Sequence, residues 1–182
     1  FAALNDGADA VYACMSIPFI EAMSNEGIPV VGHVGLVPQK RTWTGGFRAV
    51  GKTAEEAIKV YQNVKDLENA GAACVEVEVV PVELADFITK NTKMITMGMG
   101  CGDVCDTQYL FCNDILGINT GHYPRHAKKY VDLKKEEEKL QELREKGFKM
   151  FLEDMKSGNY PEDKHLIKMD LSEFEKFQSK IK

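Results

Sequence analysis

No apolar run in the 182 residues approaches the ~18 that a membrane-crossing helix needs. Basic residues are not in excess: the formal net charge is −5, which argues against a nucleic-acid footprint. Proline and glycine are not over-represented, so the composition is that of a globular protein and not of a linker. The cysteines number five, an odd count, and sit mostly in strand-like or glycine-rich runs. That usage points to free thiols in a reducing compartment, not to a disulfide framework. Cys101 and Cys105 have no matching Cys/His pair at zinc-finger spacing and read as small buried hydrophobes. The chain begins at Phe1 without a Met or a leader-like segment. A processed or truncated start is therefore expected, with a cytoplasmic location, or a mitochondrial one if a targeting segment precedes Phe1.

What is present is an alternation of strand and helix patterns. Ala8–Met15 reads as a short strand, and Ser16-Ile17-Pro18 as a helix start, with Ser16 capping and Pro18 in the first turn. Ile28–Val34 is the next strand. Gly35–Lys52 holds four glycines and the only Trp, and reads either as a mobile flap over a pocket or as a surface excursion with Trp43 packed down. Thr53–Ala70 is the clearest helix, opened by a Thr53/Glu56 capping box and carrying Ala57, Val60, Tyr61, Val64 and Leu67 at helical spacing.

Gly71–Pro81 (G-A-A-C-V-E-V-E-V-V-P) is a strand rich in β-branched residues, with Glu76 and Glu78 on one face. Pro81 ends it. A helix over Val82–Lys90, a strand over Met94–Met97 and the turn Gly98-Met99-Gly100-Cys101-Gly102 follow. The turn's glycines permit close backbone approach to a ligand, but no Lys-Ser/Thr follows, so it is not a P-loop. Gln108–Asn113 is a short helix or strand, and Asp114–Ile118 a last strand-like piece. From Lys134 the pattern is a charged amphipathic helix, followed by a tail helix. The order β-α-β-loop-α-β-α-β-α means a parallel α/β fold, either an open sheet or part of a barrel. Residues 1–130 form that part and 131–182 the charged C-terminal helices. Glu76 and Glu78 lie either at the mouth of a βα unit or on the solvated face of an antiparallel strand.

Several motifs recur in one order. They are Ile28–Gln39 (I-P-V-V-G-H-V-G-L-V-P-Q), Gly45-Gly46-Phe47, Leu67-Glu68-x-Ala70-Gly71-Ala72 and Glu78-Val79-Val80-Pro81-Val82-Glu83-Leu84-Ala85. Gly98-x-Gly100-x-Gly102 with Asp106-x-Gln108, Gly121-His122-x-Pro124 and Gly158-x-Tyr160-Pro161 complete the set. Together they resemble ketopantoate hydroxymethyltransferase. The resemblance implies a TIM (β/α)8 barrel of the phosphoenolpyruvate mutase/isocitrate lyase type, here lacking about its first three strands. It implies transfer of a hydroxymethyl group from 5,10-methylenetetrahydrofolate to 2-oxoisovalerate in pantothenate biosynthesis, with Mg²⁺ and a homo-oligomeric assembly. By the same resemblance Glu78 is the base that removes the C3 proton, and His33 and Gly100 bind the substrate.

The chain departs from the family pattern in its metal site. Two Mg²⁺-holding aspartates and a substrate-contacting serine fall before Phe1. A carboxylate-binding Lys is replaced by Tyr12, and a metal-site Glu by Cys14, a poor ligand for hard Mg²⁺. No Mg²⁺ ligand is therefore expected within this chain. Glu76 stands where the family has an apolar residue, and a barrel interior would demand a partner for it. Two alternatives stay open: a divergent homologue acting on another α-keto acid, and a non-catalytic barrel subunit.

Overall fold

The computed structural model describes residues 1–181. The chain forms two compact units, Phe1–Val131 and Asp132–Lys182. In the first, the elements run α1 (Ala2–Asn5), β1 (Val11–Tyr12), α2 (Ile17–Asn25) and β2 (Val30–Gly35). A 3-10 turn (Pro38–Lys40), α3 (Arg41–Thr44), α4 (Ala54–Asn69), β3 (Cys74–Glu78) and α5 (Val82–Lys90) follow. β4 (Ile95–Met99), β5 (Thr107–Gln108) and α6 (Cys112–Leu116) close the unit.

The five strands make one sheet in the order β1-β2-β3-β4-β5, with every pair parallel. Each strand pairs with the next one in sequence. The strand order never reverses, as it would at the switch point of a doubly wound sheet. Winding of this single sense is consistent with part of a TIM-like barrel. The antiparallel alternative for Glu76 and Glu78 is thereby excluded.

Alternation along each strand assigns two faces. Val30 and Val34 of β2, with Val75 and Val77 of β3, pack in one buried cluster with Val60, Val64 and Leu67 of α4 and with Ala85 and Ile88 of α5. Burying each such aliphatic side chain contributes about 1.5–3 kcal/mol. Gly32 belongs to this face, and a Cβ there would lie 2.7 Å from Leu67 Cδ1, so the glycine lets α4 sit down on the sheet. The opposite face carries Tyr12, His33, Cys74, Glu76, Glu78 and Met97.

The structure departs from the sequence expectations at several elements. The strand expected over Ala8–Met15 is hydrogen-bonded as β1 only at Val11–Tyr12. Ser16 precedes α2 but makes no side-chain cap. Thr53 caps α4 by accepting from the Glu56 N–H at 3.2 Å, while the Glu56 carboxylate turns away from Thr53. It accepts instead from the Gly51 and Lys52 N–H groups and pairs with Arg48 at 2.7 Å, which ties the preceding loop to the helix. The expected strand at Asp114–Ile118 is the helix α6, closed by Gly117 in the left-handed conformation. Asp114 is buried there and accepts from Asn119 Nδ2 at 3.0 Å; a short apolar run does not by itself distinguish the two structures.

The alternation of β3 ends at Val79, whose φ is 49°. A β-branched residue there costs about 1–3 kcal/mol and is held only by over-determined surroundings. Those surroundings are present: Val79 N–H donates to Met99 O at 2.8 Å, and its carbonyl accepts from Val50 N at 3.1 Å.

The second unit holds α7 (Leu133–Ser157), a 3-10 turn (Asp163–His165) and α8 (Leu171–Ile181). Asp132 caps α7 by accepting from the Lys135 N–H, and Gly158 ends it in the left-handed region. Lys139 pairs with Glu136 and Lys176 with Glu173, one helical turn apart. No helix among the described residues is long and apolar enough to cross a membrane.

Gly35 is the tightest point beside the strand ends. Its φ is +88°, and a Cβ would lie 2.2 Å from the Glu78 carbonyl oxygen. Gly35→Ala is expected to destabilise the fold by about 3 kcal/mol or more, through left-handed strain plus the clash. A urea unfolding midpoint within error of wild type would contradict this packing.

Candidate functional site

The β2–β3 register sets His33 opposite Glu76 and Gly35 opposite Glu78. Because their side chains share the face away from the helices, one imidazole and two carboxylates converge near the C-terminal ends of parallel strands. One ligand atom from each of His33, Glu76 and Glu78 lies within 4.8 Å of the others. His33 Nε2 is 2.9 Å from Glu78 Oε2, with the two side chains only 2% and 7% exposed. At that distance the approach is off the axis a hydrogen bond needs, and both atoms are buried without a hydrogen-bond partner.

The other ring nitrogen is engaged. Tyr12 Oη and His33 Nδ1 share a hydrogen bond of 2.5 Å, and Cys14 Sγ lies 3.4 Å from the same nitrogen. The Tyr12 hydroxyl also interacts electrostatically with the Glu76 carboxyl. Burial first, then Cys14 and Glu76, push the Tyr12 hydroxyl far above the usual phenol range, so it remains a proton donor. Burial also pushes Glu76 upward; His33 and the Tyr12 hydroxyl pull it back down, and the like charge of Glu78 adds to the rise. The partner that Glu76 requires is thus the Tyr12–His33 pair, supplied by two neighbouring strands.

A cavity of about 510 Å³, lined by Cys14, His33, Lys40, Trp43, Arg48 and Val60 among others, meets this cluster at His33 and is not lined by Glu76 or Glu78. The Gly35–Lys52 segment therefore does border a pocket. Trp43 is 91% exposed, so it is not the packed-down anchor of the alternative reading. Arg48 pairs with Glu56 and Lys59 with Glu55, which leaves Lys40 as a cavity cation with no carboxylate partner among the described residues.

Gly100 lies in the turn that follows β4, directly after Met99, the register partner of Glu78, with φ +69°. A Cβ there would meet the His126 ring at 2.9 Å. In the same turn Cys101 is buried, as expected, and its Sγ is 3.8 Å from Cys105 Sγ. The hydrogen bond from Cys101 pushes Cys105 down to about 6, with the Thr89 and Thr96 hydroxyls assisting and burial opposing. Cys105 is partly buried and packs against the hydrophobic core, as the small-hydrophobe reading expects. All five cysteines are free. Reading the sequence alone singles out Glu78 and His33 and leaves Glu76 partnerless. The coupling of Tyr12 and Cys14 to His33 depends on β1 pairing with β2, which no spacing along the chain displays.

A singly wound parallel sheet with acid and imidazole groups gathered at its strand ends defines an α/β protein and is consistent with part of a TIM-like barrel. Residues 4–163 match the sequence model of the family described as Ketopantoate hydroxymethyltransferase, and the chain belongs to that family. It is similar to 3-methyl-2-oxobutanoate hydroxymethyltransferase of Clostridium novyi, with 38% identity over 86% of this chain and 54% of the relative. It is also similar to 3-methyl-2-oxobutanoate hydroxymethyltransferase 1 of Methylibium petroleiphilum, with 33% identity over 89% of this chain and 53% of the relative. The Bacillus cereus protein of the first name is 35% identical over 84% of this chain and 52% of its own length. The chain spans about half the length of the curated relatives it matches.

The buried carboxyl generates a pH prediction. Folding holds the Glu76 proton more tightly than the unfolded chain does. Its favourable contribution is therefore present below the unfolded value, near 4.3, and is lost as pH rises through the raised folded value. Relative to wild type, Glu76→Gln in metal-free buffer is expected to be more stable by about 1–3 kcal/mol at neutral pH, with the gain shrinking as pH falls. Urea midpoints across that range check it; a difference that does not vary with pH contradicts the assignment.

Proposed function

We propose that this protein transfers a hydroxymethyl group from 5,10-methylenetetrahydrofolate to 2-oxoisovalerate, giving ketopantoate for pantothenate synthesis. Family membership supports the reaction class. The observation that carries it to particular atoms is the buried Glu78 carboxylate beside His33 Nε2, at the end of a parallel strand. In this reading Glu78 removes the proton at C3 of the keto acid. The resulting enolate carbon forms the new C–C bond to the one-carbon unit; water supplies the hydroxyl oxygen, and tetrahydrofolate leaves. His33 hydrogen-bonds the keto acid and excludes water from the proton-transfer path. Lys40 takes the role of the lysine that Tyr12 replaces, meeting the substrate carboxylate from the cavity wall. The backbone at Gly100 approaches the substrate from the β4 turn. Homo-oligomeric assembly in a reducing compartment such as the cytoplasm completes the proposal.

Mg²⁺, which the family resemblance implies, prefers octahedral oxygen ligation. The donors gathered here are an imidazole nitrogen and two carboxylates, with a thiol beside the imidazole. That set does not fit Mg²⁺, and no step above is routed through it. The same set, with Glu76 buried against Tyr12, supports a second reading in which the pocket serves a different α-keto acid.

Deuterium exchange at C3 of 2-oxoisovalerate, followed by proton NMR with the full-length protein, tests the base. Exchange is expected, with Glu78→Gln slowing it by about 10²–10⁴-fold. Absence of exchange, or exchange unaffected by Glu78→Gln, overturns the assignment.

A further inference from the structure

We infer that His33, Glu76 and Glu78 form a binding site for a divalent transition-metal ion of the Zn²⁺ class. Three ligand atoms fall within 4.8 Å of one another on one sheet face. Two of them, His33 Nε2 and Glu78 Oε2, are buried, lack a hydrogen-bond partner, and approach to 2.9 Å. Nitrogen and oxygen ligands of one such ion sit at about 2.0–2.2 Å from it, which at the tetrahedral angle puts neighbouring ligands about 3.3–3.6 Å apart, within about half an ångström of this contact. An off-axis contact of that length is a poor hydrogen bond and a good pair of neighbouring ligands.

The ring orientation agrees. A metal-bound histidine commonly has its second nitrogen fixed by an outer partner, which sets the tautomer. Here Nδ1 is held by the Tyr12 hydroxyl at 2.5 Å, so Nε2 is the nitrogen left to ligate. Charge points the same way. Glu76 and Glu78 are buried on one face, and two carboxylates out of water need a cation or a proton between them. The donor chemistry selects the ion: one imidazole and two carboxylates suit Zn²⁺, and they resemble the mixed His/Glu sets that leave a position open to solvent or an oxygen ligand. The site does not depend on the transfer reaction proposed above: ligation takes His33 Nε2 and a Glu78 oxygen, so ion binding and the substrate contacts of those two residues are alternatives, and occupancy is read without substrate.

The test strips the full-length protein with EDTA, equilibrates it with Zn²⁺ or Co²⁺, and measures bound metal by mass spectrometry, affinity by chelator competition, and the visible spectrum of the Co²⁺ form. One ion per chain is expected. Outer partners alone change metal affinity by about 10–100-fold, so losing a direct ligand in Glu76→Gln or His33→Ala is expected to cost about 100-fold or more. Glu76→Asp should recover part of it, and the Cys101→Ser/Cys105→Ser double variant should bind as wild type does. Circular dichroism identifies any variant that fails to fold, and the remaining ligand variant then carries the comparison. No retained ion in wild type, undiminished binding in folded Glu76→Gln, or loss confined to the double cysteine variant overturns the inference. An outcome in which Zn²⁺ binding fails while C3 exchange persists leaves the base assignment standing, and the converse separates them equally.

Discussion

A carboxylate cannot leave water without something to answer its charge, and this unit buries two of them on one sheet face. Everything about the site follows from how that demand is met. The β2–β3 register places His33 across from Glu76 and brings it to Glu78. β1 adds the Tyr12 hydroxyl, which hydrogen-bonds His33 Nδ1 and favours the charged form of Glu76. A one-residue slip in either pairing would turn these side chains toward α4 and α5, into a face packed mainly with Val, Leu, Ile and Ala.

That register is defended by backbone features beside the site. Gly35 follows Val34 directly under the Glu78 carbonyl, and Leu36 N–H donates to that carbonyl at 2.9 Å. Val79 holds a left-handed φ immediately after Glu78 and is pinned from β4 on one side and from Val50 on the other. Strain of this kind persists where neighbours over-determine the chain, and it commonly accompanies functional positions. Here it turns the chain out of the strand into Pro81 and α5, so that Glu78 is the last ladder residue of β3.

Much of this was legible in the sequence, for identifiable reasons. The α4 and α5 patterns are long and periodic, and their packing on Val75 and Val77 follows from β-branched residues between two helices. His33 and Glu78 could be read because each sits in an extended motif. Glu76 could be read as a problem but not as a solution, because its partners lie 64 and 43 residues earlier in the chain, at Tyr12 and His33, and meet it only through strand pairing. α6 is not legible for a different reason: five residues hold no period, and the helix shows itself only in the buried Asp114 and in Gly117 closing the turn. The lowered Cys105 thiol depends on Cys101, Thr89 and Thr96 meeting around it, which four-residue spacing alone does not imply.

The central claim is that His33, Glu76 and Glu78 converge on one point able to hold a cation. A crystal structure of the Zn²⁺-equilibrated protein, with an anomalous difference map at the zinc edge, tests it most directly. The account requires a dominant peak at roughly 2.0–2.2 Å from His33 Nε2 and from an oxygen of each carboxylate. A dominant peak between Cys101 and Cys105, or no peak at the three strand residues, would contradict it.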